Sequence, residues 1–191
     1  MKATAISREI GVLVLASRPQ FLAASAAPVL VGSALGYTVA GTFQVGLFVL
    51  ALLAIMALHA GANVTNDYFD HRSRNDWVNE NPTPFSGGRR FIQQGILSPR
   101  ATLRVGLGYL ALGCGLGLVI VALTRSAFVL GIGVVGALGG YFYTAGPLRL
   151  GYRGVGEIVI GILFGVLPVY GSYYLQTRTL DALPLPVSYT H

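Results

Sequence analysis

Apolar residues run in blocks of about twenty, separated by short polar stretches, and no block alternates with period two. The blocks are residues 20–40, 43–65, 101–123, 126–145 and 155–176. Each is long enough to cross a bilayer, which takes roughly 20 residues in a helix. Barrel strands are shorter and alternate. A chain inside hydrocarbon must satisfy its own backbone hydrogen bonds, so the pattern predicts helices. The fold class expected is all-α, a multi-pass transmembrane helical bundle, with residues 1–191 as one membrane domain. Residues 1–19 form an amphipathic lead with Lys2, Arg8, Glu9, Arg18 and Pro19. Residues 66–99 and 146–154 are polar loops, and the stretch from Thr177 is a tail too poor in apolar residues to span.

Composition sharpens this picture. Hydrophobic residues make up 53% of the chain and charged residues 10%, against roughly 25% charged in ordinary domains. The mean hydropathy is +0.65. These values exclude a soluble domain, a disordered tail and a disulfide scaffold, and the single Cys114 has no partner for an internal bridge. The 26 glycines suit helices that approach closely. A net charge of +6 does not point to nucleic acid, because the basic residues cluster between apolar blocks with no soluble domain to present them. They suit membrane lipid and anionic substrates instead. No cleaved signal peptide is expected.

The charges predict a topology. With a cytoplasmic N-terminus, Lys2, Arg8, Arg18, Arg72, Arg74, Arg89, Arg90, Arg100, Arg104, Arg149 and Arg153 fall inside, and only Arg125 and Arg178 fall outside. Eleven of the 13 basic residues therefore share one side, as the positive-inside rule requires of a multi-pass protein of the inner (plasma) membrane.

The polar stretch after the second block carries the candidate chemistry. Asn63, Asn66, Asp67 and Asp70 recur at spacings of three and four, which places them on one helix face. Carboxylates at the edge of a membrane helix need a cation or a basic partner. Asp76 and Glu80 continue the acidic set. Oxygen ligands without histidine or cysteine suit Mg²⁺ rather than zinc. Gly87, Gly88, Arg89 and Arg90 follow, offering backbone and cationic contacts for a diphosphate. A solvated charged loop is the alternative. His59 and His71 read as acid–base groups or, more simply, as packing and loop residues. A second polar feature spans residues 141–161, with Tyr141, Tyr143, Thr144, Arg149, Arg153 and Glu157. Interface anchoring explains the tyrosines and arginines equally well, whereas a carboxylate entering the fifth block points to function.

NDYFD at residues 66–70 resembles the first aspartate-rich motif of the UbiA superfamily of intramembrane prenyltransferases. The subgroup it is most similar to is the 1,4-dihydroxy-2-naphthoate polyprenyltransferases of menaquinone synthesis and their animal relatives. Arg18-Pro19 resembles the Arg-Pro that opens helix one, YTAGPLRLGYRGVGE at 143–157 the signature after helix four, and GSYYLQ at 171–176 the end of helix five. The resemblance implies that Asn66, Asp70 and Asp76 hold Mg²⁺ and a polyprenyl diphosphate, with Asp67 at a position that is often acidic. It implies substrate contacts for Asn63, Arg72, Arg89, Arg90, Tyr143, Arg149, Arg153 and Glu157. It also implies about nine helices and a second aspartate-rich motif beyond the fifth. The expectation is therefore an N-terminal portion of a longer product, or a chain completed by an oligomeric partner, with little turnover of its own. PTPFSGGRR at 82–90 departs from the Gly-Pro-x-Arg of the menaquinone subgroup and is similar to the FSGGSR of other bacterial and archaeal members, Arg90 matching the Arg.

The reaction implied is Mg²⁺-dependent transfer of a polyprenyl group to an aromatic acceptor such as 1,4-dihydroxy-2-naphthoate. Homogentisate, haem, a chlorophyllide, a glycerol phosphate ether or a sugar phosphate remain open as acceptors. A transport protein with an acidic ion site and a non-catalytic membrane subunit remain open as other classes. The topology is testable. In a Cys114→Ala background, Glu80→Cys is expected to react with a membrane-impermeant thiol reagent only after permeabilisation. Labelling of intact cells from outside overturns the assignment.

Overall fold

Proline, serine and left-handed residues decide where each apolar run becomes a helix and where it stops. The structure, a computed structural model, describes residues 11–74 and 90–188. Asp76, Glu80 and Arg89 lie outside the described residues. Residues 11–16 are helical, and the chain then bends through Arg18, at φ 55°. Helix α1 (Pro19–Ala40) opens on a proline, whose missing N–H has no intrahelical partner at that position anyway, and closes on Gly41 at φ 68°. Helix α2 spans Val45–Ser73, α3 Pro99–Thr124, α4 Ala127–Phe142 and α5 Gly156–Thr177. The side chains of Ser98 and Ser126 cap α3 and α4, accepting from the N–H groups of Ala101 at 3.2 Å and Val129 at 3.3 Å. Among the described residues there is no strand.

Helices α1, α2, α3 and α5 are long and apolar enough to cross a membrane, while α4 is apolar but has 16 residues. The fourth apolar block thus stops at Phe142, because residues 143–149 turn through Gly146-Pro147. Helix α2 has 29 residues, about 44 Å at 1.5 Å each, against roughly 30 Å of hydrocarbon. Its surplus is the polar stretch: residues 66–73, which hydropathy places in a loop, continue the helix. Helix α5 carries a π-helical stretch at Gly161–Val166, just ahead of Pro168. Proline cannot donate to the carbonyl a turn back, and the wider turn accommodates that loss.

Glycine sets the helix spacing. A Cβ at Gly61 would meet Leu110 at 2.7 Å, one at Gly106 would meet Thr65 at 2.6 Å, and one at Gly113 would meet Leu58 at 2.6 Å, so α2 and α3 pack antiparallel at backbone contact. On α1, Gly32 and Gly36 form a Gly-x-x-x-Gly pair against α5. A Cβ at Gly32 would fall inside Ser172 Oγ and the Val169 carbonyl, and one at Gly36 would meet Gln176 at 2.6 Å. This register makes α1 and α5 parallel. Beyond Arg178 the chain doubles back: Tyr170 donates to the Asp181 carbonyl at 2.6 Å, and Thr179 and Tyr173 donate to its carboxylate at 2.6 and 2.7 Å. Those hydroxyls, Thr179 foremost, hold the Asp181 carboxyl below the usual carboxylate range. The short α6 (Pro184–Ser188) then returns along α5 as far as Gly165. The stretch read from hydropathy as a tail therefore packs against the bundle, tied by the buried Tyr173.

Each non-glycine residue with positive φ among the described residues is an arginine: Arg18, Arg74, Arg90, Arg125, Arg149 and Arg178. The left-handed conformation costs an L-residue about 1 kcal/mol or more. At Arg74, Arg125 and Arg178 the cation sits at a helix C-terminus, where it complements the dipole, and its long stem lets the charge reach water.

Gly32→Ala is expected to lower stability in detergent by about 1–3 kcal/mol, since backbone atoms must move. Gly115→Ala, where a Cβ meets nothing within 4 Å, is expected to be neutral or mildly stabilising. Thermal unfolding of the two variants side by side checks this, and equal behaviour refutes the packing argument.

Candidate functional site

The polar end of α2 is where the bundle gathers its charges. Spacings of three and four carry Asn63, Asn66, Asp67 and Asp70 up one side of the helix, as the sequence predicts. Asn63 Nδ2 donates to the Ser17 carbonyl at 3.0 Å, and Arg18 forms an ion pair with Asp67. Both partners of that pair are nearly buried, with side-chain exposures of 13% and 10%. One turn below, His59 Nδ1 lies 2.7 Å from the fully buried Ser25 Oγ, and its ring packs on Phe164 at 4.5 Å between centroids. His59, Asn63 and Asp67 thus form one seam with α1 and the residues leading into it. That gives His59 a packing role.

Asp70 has a different environment. It is 8% exposed, and its carboxylate accepts from the Asn66 amide at 2.6 Å and from the Tyr152 hydroxyl, which comes from the loop between α4 and α5. Two aspartates one turn apart are therefore sorted by their partners. Asp67 meets a guanidinium, which cancels its charge. Asp70 meets neutral donors, which orient it, and Arg18 acts on it through space rather than by contact.

Aromatic rings close one side. Phe69 of α2 packs edge-on against Tyr141 of α4, with centroids 5.9 Å apart. Tyr143 follows, half-buried, and its carbonyl accepts from the Gly151 N–H at 2.8 Å. A Cβ at Gly151 would meet the Tyr143 ring at 2.9 Å, so glycine is what lets this loop fold down.

The structure does not bring every sequence candidate to this cluster. Arg72 is two residues past Asp70, about 200° round the helix, and lines a surface cleft with Tyr68, His71, Arg74 and Pro99. Arg149 is exposed, and the exposed Arg153 donates to the Pro147 carbonyl at 3.2 Å. Glu157 is also exposed, in the first turn of α5, because the helix begins at Gly156; it is favoured there by the helix dipole rather than buried within the span. Arg90 opens the turn before α3 in the left-handed conformation. Two residues of the cluster carry contacts that pattern reasoning did not assign: Arg18 as the partner of Asp67, and Tyr152 as a donor to Asp70. Their presence within motif-like segments was the available signal.

A second feature lies deeper. An apolar cavity of about 280 Å³ opens among α1 to α5, walled by Ile55, Leu58, Gly117, Gly133, Gly136 and Leu163 among others. Its wall on α2 ends at Leu58, roughly 7 Å along the axis from Asn63.

The donor set suits a hard cation. Asn66 and Asp70 stand one turn apart, the Asn66 amide nitrogen on a carboxylate oxygen of Asp70, and both side chains carry oxygen ligands. Among the described residues no three of His, Cys, Asp and Glu come together, and Asp76 is not among them.

The sequence profile of the UbiA prenyltransferase family matches residues 25–190. The chain belongs to the UbiA prenyltransferase family. Its helical architecture and apolar spans agree with the multi-pass membrane fold of the UbiA family, and the protein is an integral membrane protein. Among the UbiA relatives, 1,4-dihydroxy-2-naphthoate octaprenyltransferase of Haemophilus influenzae is 33% identical over 172 residues, 87% of this chain and 54% of that protein. The Mycobacterium tuberculosis protein of the same name is 32% identical over 166 residues, 86% of this chain and 54% of the relative. Human UbiA prenyltransferase domain-containing protein 1 is 32% identical over 173 residues, 90% and 49%. The chain spans about half the length of the curated relatives it matches.

The ion pair yields a measurable coupling. Asp67→Ala or Arg18→Ala alone is expected to cost about 3–5 kcal/mol, because each strands a buried charge. The double variant is expected to cost clearly less than the sum. Additive losses in a double-mutant cycle of thermal or denaturant stability refute the pairing.

Proposed function

We propose that the protein transfers a polyprenyl group from an isoprenoid diphosphate to an aromatic acceptor of the 1,4-dihydroxy-2-naphthoate kind, using Mg²⁺ at the exit of α2. The observation that carries this reading is Asp70, a buried carboxylate beside Asn66 whose hydrogen-bond partners are neutral. A buried carboxylate with neutral hydrogen-bond partners at the end of a membrane helix favours a cation. Names of the relatives supply the chemistry, since two are naphthoate octaprenyltransferases.

In this reading Asn66, Asp70 and Asp76 hold the metal, and Asp67 acts beside them by anchoring Arg18. Mg²⁺, when bound, offsets the charge that builds on the departing diphosphate. Arg90 and Arg153, with Arg72, Arg89 and Arg149, draw anions to the same membrane face. Asn63 steadies the chain leading into α1 through the Ser17 carbonyl. The isoprenoid tail takes the apolar cavity, whose glycine walls leave it room. The allylic carbon–oxygen bond breaks with both electrons going to diphosphate. An electron-rich ring carbon then bonds the allylic carbon, and the ring expels its substituent at that position to regain aromaticity. Tyr143 offers its ring face to the developing positive charge.

The same reading puts the cluster on the cytoplasmic side of the plasma membrane. The contacts Arg18–Asp67 and Tyr152–Asp70 gather the α1 start, the α2 end and the α4–α5 loop at one end, where the basic residues concentrate. Arg125 and Arg178 cap helices at the other.

The test uses the protein expressed from its complete open reading frame, in nanodiscs, with Mg²⁺, radiolabelled geranylgeranyl diphosphate and a panel of aromatic acceptors. Asp70→Asn is expected to insert normally and to lose roughly a thousandfold or more in turnover, the scale of several kcal/mol of transition-state stabilisation. Turnover at the unmutated rate refutes the assignment.

A further inference from the structure

Tyr152 stands out because it crosses from surface to core. The residue as a whole is 46% exposed, yet its hydroxyl reaches a carboxylate that is 8% exposed and lies 82 positions earlier in the chain. The backbone delivering it is tightly specified. Arg149 turns through φ 46°, residues Leu150–Tyr152 make a single 3₁₀ turn, and the Tyr152 N–H donates to the Arg149 carbonyl at 3.0 Å. The preceding Gly151 is clamped to Tyr143 through its own N–H and through the absence of a side chain. This backbone carries the ring to where its hydroxyl meets Asp70.

Asp70 is then gripped at both oxygens: Oδ2 accepts from Asn66 on its own helix, and Oδ1 accepts from Tyr152. Each donor is neutral. A lysine or arginine in the place of Tyr152 would cancel the charge, as Arg18 does for Asp67 one turn away. A phenol sets the plane of the carboxylate without forming an ion pair. Hydrogen bonds of this kind to a metal-ligating group are worth roughly 10- to 100-fold in metal affinity.

We propose that Tyr152 is a positioning residue for the metal-ligating carboxylate of Asp70, so that the loop between α4 and α5 helps determine divalent-cation affinity at the α2 exit. The inference rests on the proposed role of Asp70 as a metal ligand.

The experiment compares unmutated protein, Tyr152→Phe and Tyr152→Lys, each from the complete open reading frame and in nanodiscs. Mn²⁺ binding is followed by electron paramagnetic resonance in the presence of inorganic pyrophosphate. Tyr152→Phe keeps the ring and is expected to bind Mn²⁺ about 10-fold more weakly. In prenyl transfer, the Mg²⁺ concentration giving half-maximal rate is expected to rise about 10-fold, with kcat at saturating Mg²⁺ within about 2-fold of the original. A merely structural tyrosine would lower kcat or protein yield without moving the metal dependence. Tyr152→Lys, which offers Asp70 a cation, is expected to lose Mn²⁺ binding. Unchanged Mn²⁺ affinity in either variant, with the unmutated protein binding normally, overturns the role of Tyr152 alone. Absence of Mn²⁺ binding in the unmutated protein overturns this role together with the metal-site reading.

Discussion

A guanidinium and a carboxylate meet at the start of α1 and near the end of α2, both almost out of solvent. Neither charge can be left there alone, so Arg18 and Asp67 hold the two helix ends in one register. The constraint spreads from them. Asn63 reaches back to the Ser17 carbonyl, and His59 meets Ser25 deeper in the membrane, so the α1–α2 seam is polar over three successive contacts. With that seam made, the face of α2 bearing Asn66 and Asp70 is turned towards the loop that carries Tyr152. The ion pair is thus the reason one aspartate of the motif is structural in its surroundings while its neighbour stays available to a ligand.

Around this seam the bundle is assembled by missing side chains. Lipid is as apolar as leucine, so helices in it gain little from burying greasy surface and associate through close packing instead. Gly61, Gly106 and Gly113 bring α2 and α3 to backbone contact, and Gly32 and Gly36 do the same for α1 and α5. Gly117 of α3 and Gly133 and Gly136 of α4, which line the apolar cavity, act in the opposite sense, leaving space where side chains would otherwise fill it.

How far the chain could be read in advance follows from the reach of each interaction. Apolar run length depends on local composition alone, and α1, α2, α3 and α5 are each built on such a run. Helix ends were harder. Polar residues at helical spacing look like a loop to a hydropathy window, so hydropathy alone ends the second run before the helix does, at Ser73. The one-sided face of Asn63, Asn66, Asp67 and Asp70 was legible because it needs only helical periodicity. The same periodicity turns Arg72 away from Asp70. Partners 49 and 82 positions apart were not legible, since Arg18–Asp67 and Tyr152–Asp70 exist only through tertiary packing. Family likeness pointed to the segments holding Arg18 and Tyr152 without saying what either one touches.

The 16-residue α4 has a consequence for the lipid beside it. At about 1.5 Å per residue it is roughly 24 Å long, some 6 Å shorter than typical hydrocarbon. A short crossing is accommodated by compressing the bilayer locally, at a fraction of a kcal/mol for each ångström of mismatch. Such compression would draw headgroups and their water inward along α4, whose Tyr141 meets Phe69. A bilayer thinned beside α4 would shorten the path of a charged headgroup towards the end of the bundle where Phe69 and Tyr141 meet.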